Sequence, residues 1–453
     1  MTAANFVTTD KASIPTTPGS QPISVQPNLS WSRVSQIASS FADQAFAVGG
    51  MFLANIVLAR VQSKQEYGMF ALSYSVYTFI AGIHNALILE PYSIHGGGRY
   101  HDRFSSYSRH MSRNNALLGT ALMATLASIW LLLRRYDPAI APRSFLGLAF
   151  AAPILLSALF IRRTLYLRRE PKLAARFSVV SFVALVFLLA IATKTGMLDG
   201  FSTFLIAAFA WVISGLFLIR QLPGLRGAHA FAESTPDRWA EHWKYARWVL
   251  ATAFVFQLTY QGYYWLLAGF ISVKDVAELR AMYMLLAPAD QIFIALDLLV
   301  LPIMAFHYAS GQRGQLLSLW KKFGVLTFLT SFAYAASVWM FGRHVMHSIY
   351  AGKFDDISDL LFLFAILPVI MSIGNSLNVA LKSVERPDLV FGSYVASGFI
   401  TVLLGIPLVR HFGLRGAVLG MLASAGMYTA SMLVGLMRVA RAGSTHISLP
   451  TTI

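Results

Sequence analysis

Three carboxylates, Asp43, Asp290 and Asp297, stand inside long apolar stretches of the chain. An ionisable group at membrane depth is costly, so one retained there faces a wet cavity or another polar group. Asp290 and Asp297 are seven residues apart, about two helical turns, and share a helix face. Amides repeat the pattern: Gln44 adjoins Asp43, and Gln44 and Asn55, eleven apart, lie about 20° apart around a helix. Gln257, Gln261 and Tyr264 form one stripe, and Asn375, Asn378 and Lys382 form another. His84 and Glu90 fall late in a further apolar stretch, and Arg60 closes the first one. Such groups can line a substrate cavity, carry a proton or cation, or join helix to helix. Both a cavity role and a structural role are open to the three aspartates. The amide stripes also suit helix–helix bonding, His84 suits packing, and Arg60 suits a helix end or a gate.

Covalent catalysis has no foothold in these residues. No paired carboxylates, His cluster or nucleophile elbow stands out, and the Gly-x-x-x-x-Gly-Lys-Ser/Thr phosphate loop is missing. Gly96-Gly97-Gly98 lacks the strand–turn–helix setting of a phosphate loop. The chain has no cysteine, so disulfides, thiolate chemistry and Cys-bound metal are excluded. The reading is therefore a non-enzyme without a cofactor, with H+ or Na+ coupling through an aspartate as the open question.

The elements that must position these groups are membrane spans. The chain has 453 residues, of which 56% are hydrophobic and only 12% charged, whereas soluble domains carry about 25% charged residues. Near-continuous apolar runs fall at roughly 37–59, 69–89, 115–133, 144–161, 173–193 and 201–219, then at 246–270, 281–305, 323–341, 359–380, 389–409 and 416–437. Each matches the ~20 residues needed to cross ~30 Å of hydrocarbon. The expected fold is an all-α integral membrane protein of about twelve transmembrane helices. With both termini inside, inner segments hold 24 Lys and Arg and outer ones 12, which favours cytoplasmic termini. The same rule explains the net charge of +16, and no nucleic-acid partner is expected. Inner loops 90–114 and 162–172 are the most basic.

The chain also repeats itself. Leu58-Ala59 with Ser63 and Glu66 meets Leu267-Ala268 with Ser272 and Asp275 at an offset of 209. Arg169-Glu170-Pro171 meets Glu385-Arg386-Pro387, and Leu198-Asp199-Gly200 meets Leu414-Arg415-Gly416, both at an offset of 216. Three matches in order at equivalent loops predict two pseudo-symmetric six-helix bundles in the same orientation, with a substrate path between them. The expected organisation is a disordered cytoplasmic tail without a signal peptide over 1–30, bundles over 31–220 and 246–440, a cytoplasmic linker over 221–245, and a tail over 441–453.

Leu58-Ala59-Arg60, followed by Glu66-Tyr67-Gly68-Met69-Phe70-Ala71-Leu72, resembles the signature that ends the first helix in Wzx-type polysaccharide flippases of the MOP (multidrug/oligosaccharidyl-lipid/polysaccharide) superfamily. Gly413-Leu414-Arg415-Gly416-Ala417 resembles a late element of the same family, and the likeness covers residues 31–440. The resemblance implies a bacterial inner-membrane flippase that turns a lipid-linked (polyprenyl diphosphate) oligosaccharide to the outer leaflet for surface polysaccharide biosynthesis. It implies membrane lipids and other polysaccharide-assembly proteins as partners. A diphosphate calls for cations at a solvated site; Arg176 and Lys382, near inner helix ends, fit that need, although both also read as positive-inside anchors. The alternatives are drug or cation extrusion of the MATE type, a major-facilitator transporter suggested by the half-motif Gly98–Arg103, and a membrane polymerase or ligase. The last carries a large outer loop, against about 17 residues at 342–358 here.

Overall fold

A computed structural model of the chain describes residues 31–97, 104–136, 143–221 and 238–445, and among them there is no strand. The expected tail over 1–30, the half-motif at 98–103, most of the linker and the last eight residues lie outside the described residues.

Helix α1 (Trp31–Val61) turns into α2 (Lys64–His84), which continues through a π-turn (Asn85–Leu89) into α3 (Glu90–Gly97). Then follow α4 (Phe104–Tyr136), α5 (Arg143–Leu167), α6 (Pro171–Lys194) and α7 (Gly200–Gln221). The second series is α8 (Arg238–Phe270), α9 (Val273–Ala309), α10 (Arg313–Tyr350), α11 (Ser358–Phe364), α12 (Ile366–Ser383), α13 (Pro387–Ile400) and α14 (Ile406–Thr445). A π-turn (Thr401–Gly405) joins α13 to α14, and α14 breaks at Gly413, whose φ of 56° and ψ of −131° are not helical.

Among the described residues, ten helical stretches are long and apolar enough to cross a membrane, and the last of these spans Pro387–Val439 across the Gly413 break. Helix α8 is 33 residues long but is not one of the ten. The chain is a multi-pass helical membrane protein. Two expected loops are largely helical instead. The segment 90–114 is α3 and the start of α4 on either side of 98–103, and 342–358 is mostly the end of α10. Charged residues in an interfacial helix turn read as loop when only hydropathy is counted, because their side chains reach water while the backbone stays helical.

The sequence matches recur as local geometry. Ser63 caps α2 by accepting from the Glu66 N–H at 3.1 Å, and Ser272 caps α9 by accepting from the Asp275 N–H at 3.3 Å. An N-cap hydroxyl satisfies one of the orphan amides of a first turn. Arg169 and Glu385 both adopt positive φ (60° and 59°), each two residues before the proline that opens α6 or α13. Proline suits that first position because its missing N–H would be unpaired there anyway. Packing partners run in parallel as well: α1 lies on α6 as α8 lies on α13, α5 on α7 as α12 on α14, and α4 on α5 as α10 on α12.

Between the two series, α2 packs along α8 and α9. Gly68 is needed here, since a Cβ would meet the Val273 carbonyl, and a Cβ on Gly82 would meet the Gln257 side chain. On the other side, α1 reaches α9 and α10 through its last turns, where Asn55, Arg60 and the terminal carbonyls find partners. Toward its first turns α1 parts from α9, and a large cavity occupies the gap.

Candidate functional site

The end at which α1 passes into α2 is clamped by charge. Lys64 Nζ binds Glu278 at 2.8 Å and Asp356 at 2.6 Å. Lys353 donates to the carbonyls of Ala59 (2.8 Å), Arg60 (3.0 Å) and Gln62. The first two are last-turn carbonyls of α1, which lack helical partners and carry the negative end of the helix dipole, and Gln62 directly follows the helix. Burial holds the Lys353 ammonium below the usual lysine range. Arg60 donates to the Ser348 carbonyl at 3.3 Å. Tyr67, fully buried, meets the Phe354 ring edge-on at 6.1 Å. The Leu58–Leu72 signature thus forms the α1–α2 half of this clamp.

Beneath the clamp lies a polar cavity of about 270 Å³ between α1, α2, α8 and α9, whose lining includes Tyr74, Gln261, Tyr264, Arg280, Tyr283 and Asp290. Arg280, 6% exposed, donates from Nε to Asn55 Oδ1 at 3.1 Å and stacks over the Tyr74 ring at 4.3 Å. Among the described residues no carboxylate lies within ion-pair distance of it. The phenols of Tyr67 and Tyr264 flank the guanidinium, each in polar contact with it, and both hydroxyls are buried. Guanidinium and phenol groups are all hydrogen-bond donors, so this cluster can receive an acceptor such as an oxyanion. Asp290 sits deeper, held by the Tyr283 hydroxyl at 2.7 Å.

This pocket shares Val48, Phe52, Ala287 and Gln291 with a cavity of about 860 Å³ that runs along the first half of α1, the α5–α6 turn and α9. Its polar lining is Gln36, Ser40, Gln44, Tyr166, Arg169 and Gln291, and the rest is mainly apolar. The site is therefore a tapered chamber, with Arg280 at its narrower end and Arg169 at its wider one.

Of the residues that the sequence singles out, Gln44, Gln261 and Asp290 line this chamber, and Asn55 joins it through Arg280. A second polar group forms away from the clamp: Asp297 accepts from Asn375 at 2.7 Å, and the exposed Lys382 interacts electrostatically with Asp297 and with Glu90. Arg163 of α5 also interacts with Glu90 and donates to Asn85 at 3.3 Å.

Others lie elsewhere. Asp43 is fully buried between α1, α5 and α6, accepting from Arg162 (3.1 and 2.7 Å), Tyr166 (2.8 Å) and Ser178 (2.5 Å). His84 bonds Asn115 at 2.6 Å. Gln257 packs on Gly82, and Asn378 lies beside the Tyr394–Tyr428 pair. Arg176 is exposed on α6 and does not line the chamber, and Arg60 belongs to the clamp.

Sequence reasoning does not single out Arg280, Lys64, Lys353 or Glu278. Hydropathy starts the eighth span at 281, which leaves Arg280 in a loop, whereas Ser272 starts α9 at Val273 and carries Arg280 two turns inside. The Ser272–Asp275 capping pair is the signal that could show it.

No family model matches the chain, and no curated protein matches it. Solved structures do. An inward-facing multidrug-resistance MATE family transporter of the MOP superfamily aligns with a TM-score of 0.76 at 13% identity, covering 90% of this chain and 99% of the other. The outward-facing conformation of such a transporter aligns at 0.67 and 15% identity, covering 90% and 95%. The fold is that of MOP-superfamily transporters. A further MOP-superfamily transporter, from Pyrococcus furiosus and described as having a binding pocket of reversed polarity, aligns at 0.66 and 14% identity, covering 90% and 95%. The agreement is higher with the inward-facing form than with the outward-facing one.

Proposed function

We propose that the chain is a twelve-helix flippase built of two six-helix bundles, which carries a lipid-linked (polyprenyl diphosphate) oligosaccharide across the bacterial inner membrane by alternating access. The carrying observation is Arg280: a buried guanidinium with no carboxylate partner among the described residues, flanked by the hydroxyls of Tyr67 and Tyr264, at the head of a chamber between the two helix series. An oxyanion completes that set, and guanidinium binds phosphate oxygens through two donors at once. With the termini cytoplasmic, the clamp lies at the outer face and the chamber faces inward, in accord with the better-aligned neighbour.

The cycle follows from these parts. A diphosphate enters between α1 and α9, loses water, and receives hydrogen bonds from Arg280, Tyr67 and Tyr264. The sugar occupies the wider chamber beside Gln44, Gln261 and Gln291. Neutralising Arg280 lowers the cost of separating it from Asn55, so the clamp opens when the substrate is seated. Asp290 and Asp297 are the groups through which H+ or Na+ would be coupled. Asp43, saturated by Arg162, Tyr166 and Ser178, holds its bundle together.

A second reading is extrusion of an organic cation, favoured by Asp290 in a chamber lined by Tyr260, Tyr264 and Tyr283. Depleting the protein in its native cell separates the two. The flippase reading expects lipid-linked oligosaccharide to build up on the inner leaflet, and unchanged distribution on both leaflets contradicts it.

A further inference from the structure

Beside the Arg280 pocket, and sharing Phe52 and Met284 with it, runs a second cavity of about 330 Å³. Its walls are α1 (Phe52, Ile56), the α9 residues around Pro288, and α10 from Tyr334 to Tyr350. It also shares Phe52 and Pro288 with the wide chamber, so it adjoins both, and at Ile56, Ile349 and Tyr350 it reaches toward the clamp.

Its chemistry differs from that of the pocket. The polar side chains in its walls are already used: Tyr334 donates to the Leu285 carbonyl (2.6 Å), Tyr350 to Ala281 (3.1 Å) and Ser337 to Tyr334 (2.7 Å). The remaining wall is aliphatic or aromatic. Along its α10 edge Phe341 is 57% exposed and Val345 39%, on a helix long and apolar enough to cross a membrane. The groove therefore has one end open to the bilayer and the other at the polar pocket.

We infer that this α1–α9–α10 groove holds the first isoprenoid units of the lipid carrier while its diphosphate sits at Arg280. The inference rests on the flippase reading. A groove for bulk phospholipid would need no connection to a buried cation; one for the carrier needs that connection, because chain and diphosphate are joined by a single bond. The carrier is thereby recognised at the protein and not left free in the bilayer, and chain binding adds affinity that the anion site alone lacks.

The test compares purified wild type, Ser337→Trp and Val345→Trp, each checked for unchanged elution, binding farnesyl diphosphate and methyl diphosphate. In wild type, farnesyl diphosphate should bind at least tenfold more tightly than methyl diphosphate. Either Trp variant should bring the ratio to within about twofold while leaving methyl diphosphate unchanged. A diazirine-bearing farnesyl diphosphate should label wild type within 334–350, and excess farnesyl diphosphate, but not excess phosphatidylethanolamine, should compete. Binding through Arg280 that keeps its chain preference in both variants, or labelling competed by phosphatidylethanolamine alone, overturns the groove and spares the flippase reading. Failure of both diphosphates to bind overturns the two together.

Discussion

Arg280 of α9 donates to Asn55 of α1 at 3.1 Å, so one hydrogen bond between buried partners ties the two helix series together at the head of the chamber. In the proposed cycle that bond senses the substrate, because the guanidinium is both a binding group and a tie.

Replacing Arg280 by Gln should lower transport of the lipid-linked oligosaccharide by about 100-fold, since two charge-assisted hydrogen bonds at about 1.5–3 kcal/mol each are removed or weakened. Arg280→Lys should recover part of the loss, as one cationic donor remains. Protein amount in the membrane should stay level. Export measured alongside immunoblots checks this.

Asp43 and Arg162 should behave as a structural pair. Asp43→Asn leaves a guanidinium in protein interior without its counter-charge, a loss of about 3–5 kcal/mol. Thermal melts in detergent should show a marked fall for Asp43→Asn and a smaller one for Asp43→Asn with Arg162→Met, since the double variant removes both charges. Transport per folded molecule should be retained; a selective loss of transport with an unchanged melt would assign Asp43 to the cycle instead.

Breaking the clamp should shift the resting conformation. Lys64→Met with Lys353→Met removes the cations that bind Glu278, Asp356 and the α1 terminus, each contact contributing about 0.2–1 kcal/mol. The chain has no cysteine, so spin labels at Gln65→Cys and Ser348→Cys report the gap by double electron–electron resonance. A single short distance in wild type should become a mixture, the parted fraction rising about tenfold.

Asp290→Asn and Asp297→Asn should separate coupling from folding. Both should insert normally and lose accumulation against a gradient, while substrate-dependent fluorescence quenching of a nearby tryptophan persists. Unaltered export in both would remove these carboxylates from the mechanism.

Much of the fold is legible in the residues themselves. Ser63 and Ser272, and the prolines at 171 and 387, mark helix starts through local hydrogen bonding and fixed φ, so the sequence matches fall at helix starts of like local geometry. Asp290 and Gln261 share the chamber because a polar stripe on an apolar helix must turn toward water or protein. What periodicity does not show is which neighbour each polar group meets. Asp43 and Asp290 look alike in sequence, yet Arg162 comes to one from 119 residues away, whereas Tyr283 on its own helix binds the other. Arg280 is hidden for a different reason: a single cation near a span boundary reads as a loop anchor until the cap fixes where the helix begins. The clamp is hidden in the same way, because Lys353 and Lys64 act on backbone and carboxylates supplied from the opposite half of the chain.

The most direct test of the central claim is flipping in proteoliposomes that contain only this protein and a fluorescent polyprenyl diphosphate oligosaccharide, read by a membrane-impermeant quencher. Wild type should move the label between leaflets, with Arg280→Gln slower by about 100-fold. Equal rates for wild type, Arg280→Gln and protein-free vesicles would contradict the account.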